Sequence, residues 1–210
     1  MITALIVNGT ATDGNFLRKE LADVGFIIAV DGGMHQLDAI AVTPNVLVGD
    51  LDSYHYCGDH LAASVEIVKL NPEKDLSDLE FAIQLAVQRG ATELRLFNAV
   101  GDRLDHSLIN FNVLMQAKQL GVLAEWRAPK QRLIVAQQHQ VLTNISGQTF
   151  SIIPLTNLSG VTIRGAKYPL TNQVIEHYSS RCLSNIAVDD SVSITIEQGD
   201  AFIVINTVES

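Results

Sequence analysis

Short apolar runs alternate with segments of helical period along the first part of the chain. The runs Ala4-Leu-Ile-Val7, Phe26-Ile-Ile-Ala-Val30, Val46-Leu-Val48, Val65-Glu-Ile-Val68 and Leu94-Arg-Leu-Phe97 read as strands. Between them, Phe16, Leu17 and Leu21 recur on one face of a helix that Gly25 ends. Leu79, Ala82, Ile83 and Ala86 do the same before Gly90, and Leu108, Phe111, Leu114, Met115 and Leu120 line a third helix stopped by Gly121. The second helix opens on a capping box, Ser77-Asp-Leu-Glu80, in which each side chain takes the other residue's free backbone N–H. Strand–helix–strand alternation with near-continuous apolar strands predicts an α/β domain, a parallel sheet covered by helices on both faces.

The pattern changes after about Trp126. Leu133-Ile-Val135, Phe150-Ser-Ile-Ile153, Val161-Thr-Ile163, Val192-Ser-Ile-Thr-Ile196 and Phe202-Ile-Val-Ile205 are β-branched, partly alternating and separated by polar turns. No strong helical period appears. A smaller antiparallel β-sandwich domain is expected there. The boundary falls in the polar stretch Arg127-Ala-Pro-Lys-Gln131, giving an α/β domain over 1–128 and a β domain over 129–210. Trp126, on the last strand of the first domain, reads as a core residue.

Composition narrows the classes. The 210 residues are 47% apolar and 18% charged, an ordinary globular mixture that excludes a wholly disordered chain. Lys+Arg 14 against Asp+Glu 23 gives a formal charge of -9, which argues against a general nucleic-acid binder and suits a protein that gathers divalent cations. No apolar run approaches the roughly 18 residues of a membrane span. The N-terminal segment has no basic leader and reads as a first strand rather than a signal peptide. Cys57 and Cys182 are too few for a zinc pattern or a disulfide framework, so a cytoplasmic location is expected.

The acidic residues fall in an informative place. Asp31-Gly32-Gly33 follows the second strand and Gly49-Asp50-Leu51-Asp52-Ser53 the third. Lys74-Asp75-Leu76-Ser77-Asp78 follows the fourth, and Gly101-Asp102-Arg103-Leu104-Asp105-His106 the fifth. The carboxyl ends of parallel strands share one rim, where ligands of open α/β sheets bind. Taken singly, each motif is what a turn or a helix start looks like. Four of them at four consecutive strand ends are not explained that way. Oxygen ligands without a Cys or His set favour Mg²⁺, completed by substrate phosphates. Lys74 and Arg103 can meet phosphate oxygens, and helix N-termini near Asp78 and Asp105 offer N–H groups to the same crevice. His106 suits either a general base or a plain polar contact. The chemistry implied is transfer of a phosphoryl-type group. Neither a Walker P-loop nor G-x-G-x-x-G is present, and no G-x-S-x-G elbow occurs.

In order and spacing these four motifs resemble those of thiamine pyrophosphokinases. The β-rich part is similar to the same family in Gly160-Val-Thr-Ile-Arg-Gly165, Lys167-Tyr168-Pro169-Leu170, Ser179-Ser180 and Ser184-Asn185. The resemblance implies a Rossmann-like catalytic domain and a C-terminal β-sandwich. It implies that thiamine's hydroxyl attacks the β-phosphorus of ATP, with Mg²⁺, and that AMP leaves. It also implies a homodimer with thiamine between subunits. Carried over by motif, Asp50, Asp52 and Asp78 correspond to the magnesium and phosphate centre, with Asp31 and Asp75 as supporting acids. Arg103 and Lys74 fall on phosphates, with Gly32, Ser53 and His106 on the same nucleotide side. Asp105 resembles the acid near the thiamine hydroxyl. Tyr168 supplies an aromatic face, and Ser184 and Asn185 supply polar groups for the aminopyrimidine edge. The family usually has Gly-Gly-Arg where this chain has Gly101-Asp102-Arg103, which adds a negative charge beside the triphosphate.

Two other functions use the same crevice. The acceptor could be another alcohol or water, the latter making a nucleotide pyrophosphohydrolase. The chain could also be a non-catalytic sensor of thiamine or nucleotide. Release of AMP without thiamine, or binding without product, separates these from the kinase.

Overall fold

Parallel pairing runs through the whole N-terminal sheet, whose inner strands are largely apolar on both faces and need helices above and below. The computed structural model describes residues 1–51, 64–71, 73 and 75–207. It divides into two units, Met1–Pro129 and Lys130–Ser210. No helix among the described residues is long and apolar enough to cross a membrane.

The first unit runs β1 (Ile2–Ile6), α1 (Gly14–Glu20), β2 (Phe26–Val30), α2 (Met34–Ala39), β3 (Val46–Gly49), β4 (Glu66–Lys69), α3 (Asp78–Gln88), β5 (Glu93–Phe97), α4 (Leu104–Gln119) and β6 (Leu123–Ala128). The strands lie in the order β6-β5-β1-β2-β3-β4. From β1 the chain steps outward through β2, β3 and β4, then returns to the other side of β1 for β5 and β6. The order therefore reverses between β1 and β5, which opens a crevice beyond their carboxyl ends.

Side chains alternate between the two faces of this sheet. Ala4, Ile6, Ala29, Leu47 and Phe97 form one cluster with Leu17 and Leu21 of the α1 segment and Met34 and Leu37 of α2. Leu17 and Leu37 are fully buried, each contributing about 2 kcal/mol of transfer free energy. α3 packs over β1, β2 and β3 on Leu79, Ala82, Ile83 and Ala86, and α4 packs on α3 and β6. Trp126 is buried, its ring centroid 5.4 Å from that of Phe111 in an edge-on pair. Arg95 on β5 is held by Asp23 and Glu93 at 2.6 and 2.8 Å, and Arg127 on β6 bonds Glu20 at 2.5 Å, so the end of α1 is tied to both strands.

Several details depart from the sequence reading. α1 stops at Glu20, with Leu21 closing the last turn, well before Gly25. α2 carries no side-chain cap and only six residues, so its pattern is too short to register. The capping box is half made: Ser77 Oγ accepts from Glu80 N at 3.1 Å, but the Glu80 carboxylate receives the Gln116 side-chain amide instead. On α4 the buried positions are Ser107, Leu114 and Ala117, while Leu104, Leu108 and Leu120 are exposed.

The second unit is a sandwich of two four-stranded antiparallel layers. Its strands are β7 (Gln131–Val135), β8 (His139–Thr143), β9 (Thr149–Pro154), β10 (Leu158–Arg164), β11 (Leu170–Ile175), β12 (Asn185–Ile186), β13 (Ser191–Thr195) and β14 (Ala201–Asn206). One layer runs β12-β9-β14-β7 and the other β11-β10-β13-β8. Phe150, Ile152, Ile203 and Ile205 of the first layer meet Leu142, Val161, Ile163, Val192 and Ile194 of the second in one core. β8, β11 and β12 were not legible as strands. β8 and β11 are polar outer strands, and β12 is two residues behind a turn. Cys182 is buried, and that burial pushes its thiol up, as suits an inert side chain. Cys57 lies outside the described residues.

Candidate active site

Beyond the carboxyl ends of β1 and β5 lies a cleft of about 740 Å³. Its walls come from the loop after β1 (Asn8, Gly9, Thr10), the turns after β2 and β3, the start of α3, and Ala99, Gly101, Asp102 and Arg103 with the first turns of α4. Two backbone bonds knit the first and last of these walls: Val7 N–H donates to Phe97 O (3.1 Å) and Thr10 N–H to Val100 O (2.7 Å). Gly9 makes this approach possible. A Cβ there would lie 2.0 Å from the Asn98 carbonyl oxygen.

Three acids meet in the cleft. Asp31, Asp50 and Asp78 each offer a carboxylate oxygen, and these oxygens lie within 4.8 Å of one another. Each is delivered differently. Asp31 opens a 3₁₀ turn at the end of β2 with φ 49°, a left-handed conformation that aspartate tolerates better than most residues with a Cβ. Asp50 follows β3, and its neighbour Leu51 has φ 67°, a costly conformation for leucine of the kind that clusters at functional sites. Gly49 lets the two turns close together, since a Cβ on it would sit 3.0 Å from Asp31 Cβ. Asp78 is the first residue of α3, held there by the Ser77 cap.

The donor set fits a hard cation. Octahedral ligands at bonds of about 2.1 Å stand about 3 Å apart when adjacent and about 4 Å when opposite, so three oxygens within 4.8 Å can be drawn onto one ion by side-chain rotation. Without a cation, three like charges in a half-buried cleft repel one another.

The other expected residues divide. Arg103 and His106 line the cleft. Asp102 lines it too, and it is not among the residues with positive φ, so aspartate in place of glycine costs no backbone strain there. Asp105 does not join the three acids. Its carboxylate is exposed and bonded to Arg103, at 3.2 Å from Nε to Oδ1 and 2.6 Å from Nη2 to Oδ2. Those bonds, before anything else, hold the Asp105 carboxyl below the usual carboxylate range. Asp75 is exposed in the approach to α3 and is not among the described residues of the cleft wall. Gly32 is buried behind the wall, where a Cβ would lie 2.4 Å from the Asn8 side chain. It is not among the residues that line the cleft, and its missing side chain leaves the room that Asn8 fills. Asp52, Ser53 and Lys74 lie outside the described residues.

In the second unit, Tyr168 is exposed with Lys167 Nζ 5.6 Å from its ring centroid, a cation–π contact. Asn185 was expected to meet a ligand edge. Instead it is buried, with its amide committed to backbone. Its Oδ1 accepts from the N–H groups of Tyr168 (3.0 Å) and Ile186 (2.9 Å), and its Nδ2 donates to the Tyr168 carbonyl (2.8 Å). It fixes the main chain that carries Tyr168. Ser184 is exposed, with φ 57° and its N–H on Ser151 Oγ at 3.0 Å.

Sequence reasoning missed Asn8, Gly9, Thr10, Ser107 and Asn110. The first three could have been found, because Asn8-Gly9-Thr10 directly follows the first strand and so belongs to the same rim. Ser107 and Asn110 carried no signal beyond their helical positions.

A family model described as the thiamin pyrophosphokinase catalytic domain matches residues 17–124, and one described as the thiamin pyrophosphokinase vitamin B1 binding domain matches residues 134–199. The chain is 26% identical over 186 residues to thiamine pyrophosphokinase of Bacillus subtilis (strain 168), covering 82% of this chain and 83% of that protein. Its fold is similar to the crystal structure of thiamine pyrophosphokinase from Bacillus subtilis, with TM-score 0.86, 20% identity and 100% of both chains covered. It is likewise similar to thiamin pyrophosphokinase from Geobacillus thermodenitrificans, with TM-score 0.85, 25% identity, and 100% of this chain and 99% of that one covered. Two matched domains in sequence order, over a parallel sheet and a β-sandwich, place this chain in the thiamin pyrophosphokinase family of diphosphotransferase enzymes.

Proposed function

We propose that this chain transfers the pyrophosphoryl group of ATP to the hydroxyl of thiamine, giving thiamine diphosphate and AMP. The observation that carries the reading is the meeting of Asp31, Asp50 and Asp78 within 4.8 Å at the switch point of the sheet. These three carboxylates would hold Mg²⁺, which when bound supplies charge neutralisation on the phosphates. In this reading the hydroxyl oxygen of thiamine bonds to the β-phosphorus, and the bond from that phosphorus to the α-phosphate bridging oxygen breaks.

The chain's own groups then have separable tasks. Arg103, on the cleft wall, meets phosphate oxygens. The loop Asn8–Thr10 offers the polar side chains of Asn8 and Thr10 along the opposite wall. The hydroxyl proton must leave as the new bond forms. Both Asp105 oxygens are engaged by Arg103, and a ring nitrogen of His106 on the cleft wall is placed to accept that proton. The exposed ring of Tyr168 offers a face for the aminopyrimidine.

The test is purified protein with ATP, thiamine and Mg²⁺, followed by chromatography. AMP and thiamine diphosphate in equal amounts are expected. ADP, or AMP formed without thiamine, would replace this reading with a simple kinase or a pyrophosphohydrolase, and tight binding without product would leave a sensor. The reading includes a homodimer, which sedimentation reads directly; a fully active monomer would remove that part.

A further inference from the structure

We infer that Ser107 is a positioning residue that sets the phosphate-facing loop 99–103, and with it the Arg103 guanidinium. The inference rests on the nucleotide-binding part of the reading above and adds to it a residue of the cleft wall that acts through the loop it ties. Ser107 stands one turn into α4 and is 6% exposed, although serine is ordinarily a surface residue. Its hydroxyl accepts from the Gly101 N–H at 3.1 Å and lies 3.1 Å from the Arg103 carbonyl oxygen and 3.4 Å from that of Gly101. A hydroxyl has a single hydrogen to donate, and the Arg103 carbonyl is the shorter contact. One side chain thus ties both ends of the Gly101-Asp102-Arg103 segment.

The helix needs such a device here. Arg103 occupies the N-cap position of α4 and makes no side-chain cap bond, so the turn is not fixed in the usual way. A second tether backs the first: Asn110 Nδ2 donates to the Ala99 carbonyl at 2.9 Å. From the other side the loop is held by Thr10 N–H on Val100 O and is packed against Gly9, whose missing side chain leaves the Gly101 Cβ direction 3.4 Å from Gly9 Cα. The segment is therefore clamped between the β1 loop and α4. Residue 103 is its last member, and among the described residues of the cleft wall it is the arginine, whose guanidinium can fork onto phosphate.

The test is a double-mutant cycle read by calorimetric binding of a non-hydrolysable ATP analogue with Mg²⁺, which needs no turnover. Ser107→Ala is expected to weaken binding by about fivefold or more, the effect of one lost hydrogen bond carried through to the ligand. In an Arg103→Ala background the same change is expected to cost less than about twofold, because the group it positions is gone. Ser107→Thr, which keeps the hydroxyl, is expected to stay within about threefold of wild type. Equal losses in both backgrounds, or no loss in either, would overturn the inference. If Ser107→Ala does not fold, Ser107→Cys replaces it in the same cycle, keeping the size and losing most of the hydrogen bonding. A wild-type chain that binds the analogue but forms no thiamine diphosphate removes only the proposed reaction, while one that does not bind the analogue removes both.

Discussion

Arg103 and Asp105 are bonded to each other through both carboxylate oxygens, at 3.2 and 2.6 Å, although the family resemblance puts one on phosphate and the other near the thiamine hydroxyl. Both side chains are exposed, so the pair is one that a ligand can open at small cost. The Arg103 guanidinium holds the Asp105 carboxyl below the ordinary aspartate value of about 3.9. The sign follows from linkage: a depressed carboxyl contributes stability above its unfolded value and loses it as pH falls through its folded value. The pair is thus intact across neutral and mildly acidic pH. NMR titration of the Asp105 carboxyl should give a midpoint below the ordinary value, rising toward it in Arg103→Gln. A midpoint indifferent to Arg103→Gln would mean the pair does not persist in solution.

Asp50→Asn is expected to lower turnover by about 10²-fold or more, the scale seen when one charge-stabilising group leaves a phosphoryl site. Its fold should persist. In EDTA its melting temperature should equal or exceed that of wild type, because one of three mutually repelling carboxylates has become neutral. Wild type should melt higher in Mg²⁺ than in EDTA, and the variant should lose that difference. Scanning calorimetry in the two buffers reads both effects.

Ser77→Ala removes the bond that Glu80 N–H donates at 3.1 Å and leaves the first turn of α3 uncapped. The expected cost is about 1 kcal/mol, or a melting shift of about 2–4 °C for a chain of this size. Turnover should fall as well, since Asp78 is the next residue and reaches the cleft from that turn. Ser77→Thr should restore both. A variant with wild-type melting and wild-type rate would show that the cap does not set Asp78.

Gly33→Ala and Gly90→Ala separate space from conformation. A Cβ on Gly33 would lie 1.9 Å from the Ile6 carbonyl oxygen and 3.1 Å from Val7 N, which are main-chain atoms of the central strand and the loop it leads into. The expected loss is about 3 kcal/mol or more, an overpacking cost with no flexible neighbour to yield. Gly90 has φ +89° and nothing within 4 Å, so alanine there should cost only the left-handed backbone, about 1–2 kcal/mol. Denaturant unfolding of the two variants gives the order directly.

The elements that the sequence showed are those in which one chemistry repeats over enough residues. β2 and β3 announce themselves by unbroken β-branched and apolar runs, β5 by Leu94, Leu96 and Phe97 around Arg95, and α3 by its buried stripe from Leu79 to Ala86. α2 escaped because it is six residues behind two glycines, and β11 because polar residues and the left-handed Asn172 interrupt its pattern. The exposure of Leu108 on α4 was illegible for a different reason: an apolar residue at helical spacing does not say what covers it. In the site, Asp31, Asp50 and Asp78 were readable as acids at strand ends or a helix start. Asn185 looked like a ligand group because an amide pattern cannot reveal that the side chain is buried with three hydrogen bonds to the backbone of Tyr168 and Ile186.

By itself, the order of residues determined which segments are strands of a parallel sheet and that acids stand at their carboxyl ends. Those features are local, written in the period of apolar positions and in the residue that follows each run. Only the tertiary structure decided that β5 returns beside β1, that the acids of β2, β3 and α3 converge while Asp105 turns to Arg103, and that Ser107 is buried against the loop it ties. These are distances between groups far apart along the chain or set by side-chain direction, and a distance of that kind exists only once the core has packed.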